Sequence, residues 1–87
     1  PPQYDEIKVK YEVIKELFNE NEKIQRGEEI LVGVYNIISD GIVKNIEKNN
    51  IIDIKLNKPV LGYKGDKVII LRKINKRWKI FAIGNLL

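Results

Sequence analysis

The feature that most limits what this chain can become is a two-residue alternation of apolar and polar side chains, carried through most of its 87 residues. In "YDEIKVKYEVI", Ile7, Val9, Tyr11 and Val13 fall on one face and Lys8, Lys10 and Glu12 on the other. Successive side chains of a strand point to opposite faces, so this pattern predicts a half-buried strand over residues 4–14. Helical spacing scarcely appears. The stretch "VIKELFNENEKI" supports at most a marginal helix, because it is short and Asn19 and Asn21 favour turns.

The same logic divides the remainder. After Gly27, "EEILVGVYNI" is rich in β-branched residues and predicts a second strand. "DGIVKNI" sets Ile42 and Ile46 on one side of a third strand, and "IIDIKL" turns Ile52, Ile54 and Leu56 inward in a fourth. "NKPVLGYKGD" reads as a loop, with Pro59 lacking a ladder donor and Gly62 and Gly65 able to take positive φ. "KVIILRKI" and "RWKIFAIG" are two further strands joined tightly at Asn75-Lys76. Six strands spaced by turn chemistry predict an all-β fold, a small closed six-stranded antiparallel β-barrel occupying residues 1–87 as a single domain.

Composition narrows the functions open to such a barrel. With no cysteine and no histidine, disulfides, thiolate zinc sites and the usual neutral-pH proton shuttle are excluded. No apolar run approaches the roughly 20 residues of a membrane-spanning helix, and the start lacks the order of a signal peptide, so a cytoplasmic protein without a membrane partner is expected. The chain opens on Pro1-Pro2 and contains no methionine, which suggests a piece of something longer.

Catalytic groups are scarce. The neighbouring carboxylates Asp5-Glu6 and Glu28-Glu29 point to opposite faces of their strands and read as solvated edges. Ser39 is the sole serine, threonine is absent, and no histidine could activate it. "GYKGDK" has neither the spacing nor the following helix of a phosphate-binding P-loop. No catalytic, metal or nucleotide-binding residues are expected.

Charge is the remaining signal. Residues 1–31 hold five basic and eight acidic side chains, whereas residues 32–87 hold 11 basic and four acidic ones. In "RKINKRWKIFAIG" the side chains of Arg72, Lys73, Lys76, Arg77 and Lys79 cluster across two strands and their turn, as a phosphate-contacting rim would. Trp78 has two readings. Exposed, it could stack a base. Alternation favours the other, in which Trp78, Ile80 and Ala82 share the buried face and Trp78 anchors the barrel. Gly41 at a tight strand entry, Pro59 fixing a turn, Gly65-Asp66 opening the penultimate strand, and Gly84 read as structural.

These segments, in this order, resemble a known family. "RWKIFAIG" resembles the closing strand at the C-terminus of the gamma subunit of heterotrimeric translation initiation factor two, an elongation-factor-Tu-like GTPase. "PPQYDEIKVKYEVI" is similar to the start of that family's third domain, after a Pro-Pro junction. "GEEILVGV" with "GIVKNI", and "IKLNKPVLGYKGDKVIILRKI", resemble its successive middle strands and turns. The chain departs from the pattern at Tyr35-Asn36, where members usually have Gly-Thr, at Ala82-Ile83-Gly84, which replaces a Gly-Trp-Gly, and at Leu71, which replaces a serine before the basic pair Arg72-Lys73.

The resemblance implies an elongation-factor-Tu C-terminal-domain-like barrel, the last of three domains. It implies partners too: the G domain and second barrel of the same chain, the alpha and beta subunits, initiator methionyl-tRNA and the small ribosomal subunit. GTP and Mg would belong to the parent's G domain, with no cofactor in this segment. Two alternatives stay open: a stand-alone basic RNA-binding barrel, or the equivalent domain of an elongation or selenocysteine-specific factor.

Overall fold

A computed structural model describes residues 1–17 and 23–87. Its strands are β1 (Gln3–Val13), β2 (Glu29–Val34), β3 (Ile37–Glu47), β4 (Ile51–Leu61), β5 (Lys67–Ile74) and β6 (Arg77–Leu86). They close a barrel in the order β1-β4-β3-β2-β5-β6, every neighbouring pair antiparallel. Closure leaves the sheet without a continuous free edge and turns one face of every strand into a shared interior. Val9, Ile30, Val32, Ile52, Ile54 and Ile70 are fully buried there. Val13 ends β1 and residues 15–17 form a turn, so the first part of the marginal helix is absent; residues 18–22 of it lie outside the described residues.

Three details of the sequence-based layout are corrected. Tyr35 and Asn36 form the β2–β3 turn instead of extending β2, and Tyr35 takes a φ of 54° there. On β3, Gly41 and Val43 face inward, which leaves Ile42 and Ile46 outward. Pro59 does not fix a turn; it lies inside β4. It is tolerated because β1 and β4 change register between Tyr4 and Glu6, and Leu56–Pro59 have no β1 partner that needs a donor.

Side chains make good what that irregular stretch lacks. Ser39 Oγ donates to the Lys58 carbonyl at 2.8 Å and accepts from the Lys58 N–H at 3.2 Å, continuing the ladder where backbone pairing between β3 and β4 stops. Two glycines permit close strand contact. A Cβ on Gly41 would lie 2.6 Å from the Lys55 carbonyl oxygen, and one on Gly84 would lie 2.9 Å from Tyr11 Cα. Gly65 instead supplies a φ of 91° in the turn before β5, which begins at Lys67.

One end of the barrel is closed by a charge. Arg72, on the inward face of β5, is only 6% exposed. Its Nε donates to Glu28 Oε2 at 2.6 Å and its Nη2 to Glu28 Oε1 at 3.0 Å, a bidentate pair, while Nη2 also reaches the Lys23 carbonyl at 3.2 Å. The guanidinium lies over the Phe81 ring, 4.7 Å from its centroid. Glu28 Oε1 accepts from the Gln25 N–H as well, so one ion pair ties the 23–28 loop, with its buried Ile24, across the barrel mouth. Removing one member of a buried pair strands the other charge, at a cost of about 3–5 kcal/mol. Glu28→Ala is expected to lower unfolding stability by that order, and Glu28→Leu combined with Arg72→Met to regain most of it, measured as denaturant midpoints at constant m-value.

Candidate functional site

The basic hairpin forms as its sequence predicts, with a two-residue turn at Asn75 and Lys76, whose φ values are 52° and 67°. Lys73, Lys76, Arg77 and Lys79 are exposed around it. Among the described residues, the ion pairs are formed by other lysines and by Arg72, and none involves these four. Arg72 is removed from the rim: alternation along β5 points it into the barrel, where Glu28 neutralises it. Four cations therefore remain as the phosphate-contact candidate.

Trp78 does not anchor the core. It is partly exposed on the outer surface, opposite Lys73, whose Nζ sits 6.0 Å from the indole. Ile80 is 42% exposed. The cause is a register shift between Ile70 and Leu71: Ile70 pairs with Ala82 and Leu71 with Ile80, so Phe81 is the extra residue of a bulge. Phe81 and Ala82 both end up buried, which strict alternation forbids. Phe81 is the aromatic anchor that the sequence reading missed, packed against Tyr11 with ring centroids 5.7 Å apart. No signal in the sequence singles it out, because Ile80, Phe81, Ala82 and Ile83 form one apolar run.

The other end of the barrel gathers groups that are far apart in sequence. Tyr35 Oη donates to Asp66 Oδ2 at 2.6 Å, and the Tyr63 N–H donates to the same oxygen at 2.6 Å. The Tyr35 hydrogen bond, followed by the Tyr63 amide, holds the Asp66 carboxyl below its ordinary pKa, and the same bond raises the Tyr35 phenol. Asp66 thus organises the β4–β5 loop and tethers the β2–β3 turn to it.

The lone serine is engaged with backbone, and among the described residues no group of three acidic side chains could hold a metal. What the fold offers is surface: a cationic hairpin and an outer wall. That defines an all-antiparallel closed β-barrel domain.

Residues 5–86 match the family model described as initiation factor eIF2 gamma, C terminal, and the chain belongs to that family. It is 34% identical over 65 residues to translation initiation factor 2 subunit gamma of Archaeoglobus fulgidus, covering 75% of this chain and 15% of that protein. Against the same subunit of Pyrococcus horikoshii it is 30% identical over 89 residues, covering 97% of this chain and 21% of that protein. Against eukaryotic translation initiation factor 2 subunit 3 of Drosophila melanogaster the identity is 24% over 96 residues, with coverages of 99% and 20%. The chain spans about a fifth or less of the length of these relatives. The matched segment corresponds to the C-terminal part of that family's subunit.

Two measurements check this surface. Phe81→Ala is expected to cost about 3–5 kcal/mol as a buried aromatic truncation, and Trp78→Ala about 1 kcal/mol or less, near the middle of ordinary point substitutions; the reverse order would restore Trp78 to the core. The lowered Asp66 pKa adds stability that is present above the ordinary value of 3.8 and is lost as pH falls through the folded value below it. Asp66→Asn is expected to flatten the acid limb of a stability-versus-pH curve in that window.

Proposed function

We propose that this barrel is an assembly domain within a longer initiation factor that carries initiator methionyl-tRNA, as a GTP complex, to the small ribosomal subunit in the cytoplasm. GTP and Mg are held by the G domain of the parent chain. The barrel supports the arrangement of that G domain and of a second barrel, alongside the alpha and beta subunits. Its hairpin cations Lys73, Lys76, Arg77 and Lys79 face RNA phosphate.

The observation that carries the RNA-facing part is the collection of four exposed cations on one hairpin with no acidic partner among the described residues. Phosphate contact needs only exposed Lys or Arg at a suitable spacing, and carries no base specificity. Family membership supports the rest.

Charge reversal tests it. In the full-length factor, Lys76→Glu with Arg77→Glu is expected to weaken RNA binding and to reduce the slope of log affinity against log salt by about one for each phosphate that is no longer neutralised. An unchanged slope would show that the hairpin does not touch RNA.

A further inference from the structure

The hairpin that carries the four cations also carries a large aromatic side chain that the core does not use. Cross-strand pairing sets Trp78 opposite Lys73 and Ile80 opposite Leu71, so these four leave the same outer face of β5 and β6. Arg77 and Lys79 alternate with Trp78 and start from the other face of the ribbon, while Lys76 stands at the turn. From Arg72 to Lys79 the sequence has five basic residues and no acidic one, and Trp78 is the aromatic member of that segment.

Two features make the ring a platform. The ribbon beneath it is stiff: both turn residues take the positive φ of a tight hairpin, 52° at Asn75 and 67° at Lys76, and Ile74, paired with Arg77, packs against the core. The ring is also loosely covered. Trp78 is partly exposed, and Lys73 Nζ lies over it at 6.0 Å from the centroid, the outer limit of a cation–π contact. Lys73 is itself exposed, so its ammonium can exchange the ring for a phosphate without breaking a buried contact. Ile80, 42% exposed on the same face, extends the apolar surface beside the indole.

We propose that Trp78 stacks an unpaired base of a single-stranded RNA segment, with Lys73 and Lys76 holding the flanking phosphates. This rests on reading the hairpin as RNA-facing, and it adds which state of RNA the hairpin takes. Phosphate contact alone carries no information about the bases, whereas a ring needs a free base face. In an A-form duplex each base is covered by its neighbours in the stack, and the wide minor groove shows a side chain only base edges and 2′-hydroxyls. A protein partner suits the site less well, because lysine is depleted in protein interfaces and this ring is bordered by Lys73 and Lys76.

The test uses the full-length factor with three probes: single-stranded oligoadenylate, an RNA duplex with the same number of phosphates, and adenosine monophosphate. Trp78→Ala is expected to weaken oligoadenylate binding about 5- to 150-fold, the range that one stacked base represents, and to leave the duplex affinity and the salt slope unchanged. Trp78→Phe, which keeps an aromatic face, is expected to retain most of the binding. Indole emission from position 78, taken as the difference between the wild type and Trp78→Phe, is expected to be quenched by oligoadenylate, and not by the duplex or the mononucleotide at equal nucleotide concentration. Equal affinities of the wild type and Trp78→Ala for the single strand, equal losses on single strand and duplex, or a Trp78→Phe as weak as Trp78→Ala overturn the proposal. The charge-reversal slope is read separately: a lowered slope in Lys76→Glu with Arg77→Glu beside an inert Trp78 removes the stacked base and keeps the phosphate contact, whereas failure of both removes the RNA-facing reading itself.

Discussion

The bidentate contact between Arg72 and Glu28 is the constraint around which this small barrel is arranged. A six-stranded barrel closes its walls by hydrogen bonding, but its ends must be stopped by loops, and the 23–28 loop has one buried apolar side chain, Ile24, to hold it. Backbone hydrogen bonds from the Gly27 N–H to the Val43 carbonyl and from the Val43 N–H to the Glu28 carbonyl add to it, and the ion pair completes the anchorage. Arg72 reaches two oxygens of Glu28 and the Lys23 carbonyl while its flat face covers Phe81. Such a pair adds less to net stability than its charges suggest, because both are taken from water. Its value lies in geometry: a guanidinium fork accepts one orientation of the carboxylate, and so one path of the loop.

Phe81 links that closure to the wall. The bulge that turns Phe81 inward beneath Arg72 also turns Ile80 and Trp78 outward. One inserted residue thus fills the interior and builds the exterior face together. Elsewhere the wall has register shifts of its own, between Tyr4 and Glu6 on β1 and between Val43 and Asn45 on β3, while the alternation of β4 from Ile51 to Leu56 runs undisturbed.

Legibility in the sequence follows the same division. Wherever a strand obeys strict alternation, as in β1 and the first half of β4, its inward residues can be named from sequence alone, and the Asn75-Lys76 turn is announced by its residue types. The errors cluster where the period breaks. Alternation places Trp78 in the core because a bulge cannot be seen in a hydropathy pattern, and leaves Arg72 on the surface because its partner Glu28 lies 44 positions away. Pro59 reads as a turn because proline usually stops a strand; the register change opposite it is a property of two strands together. The hairpin cations are legible because exposed charge is a local property. The partly exposed Leu31, Ile69 and Leu71 are written in the continuous apolar runs of β2 and β5, but only closure shows that those runs have a second side.

Ser39 has a consequence for control of the domain. It is the only serine in a chain without threonine, it is 1% exposed, and its hydroxyl both donates to and accepts from the Lys58 backbone. A phosphoryl group there would need room that the wall lacks and would break the link that continues the β3–β4 ladder. The folded barrel therefore offers no aliphatic hydroxyl to a protein kinase, and any switching of this domain by serine or threonine phosphorylation must be imposed from partners rather than written on its own surface.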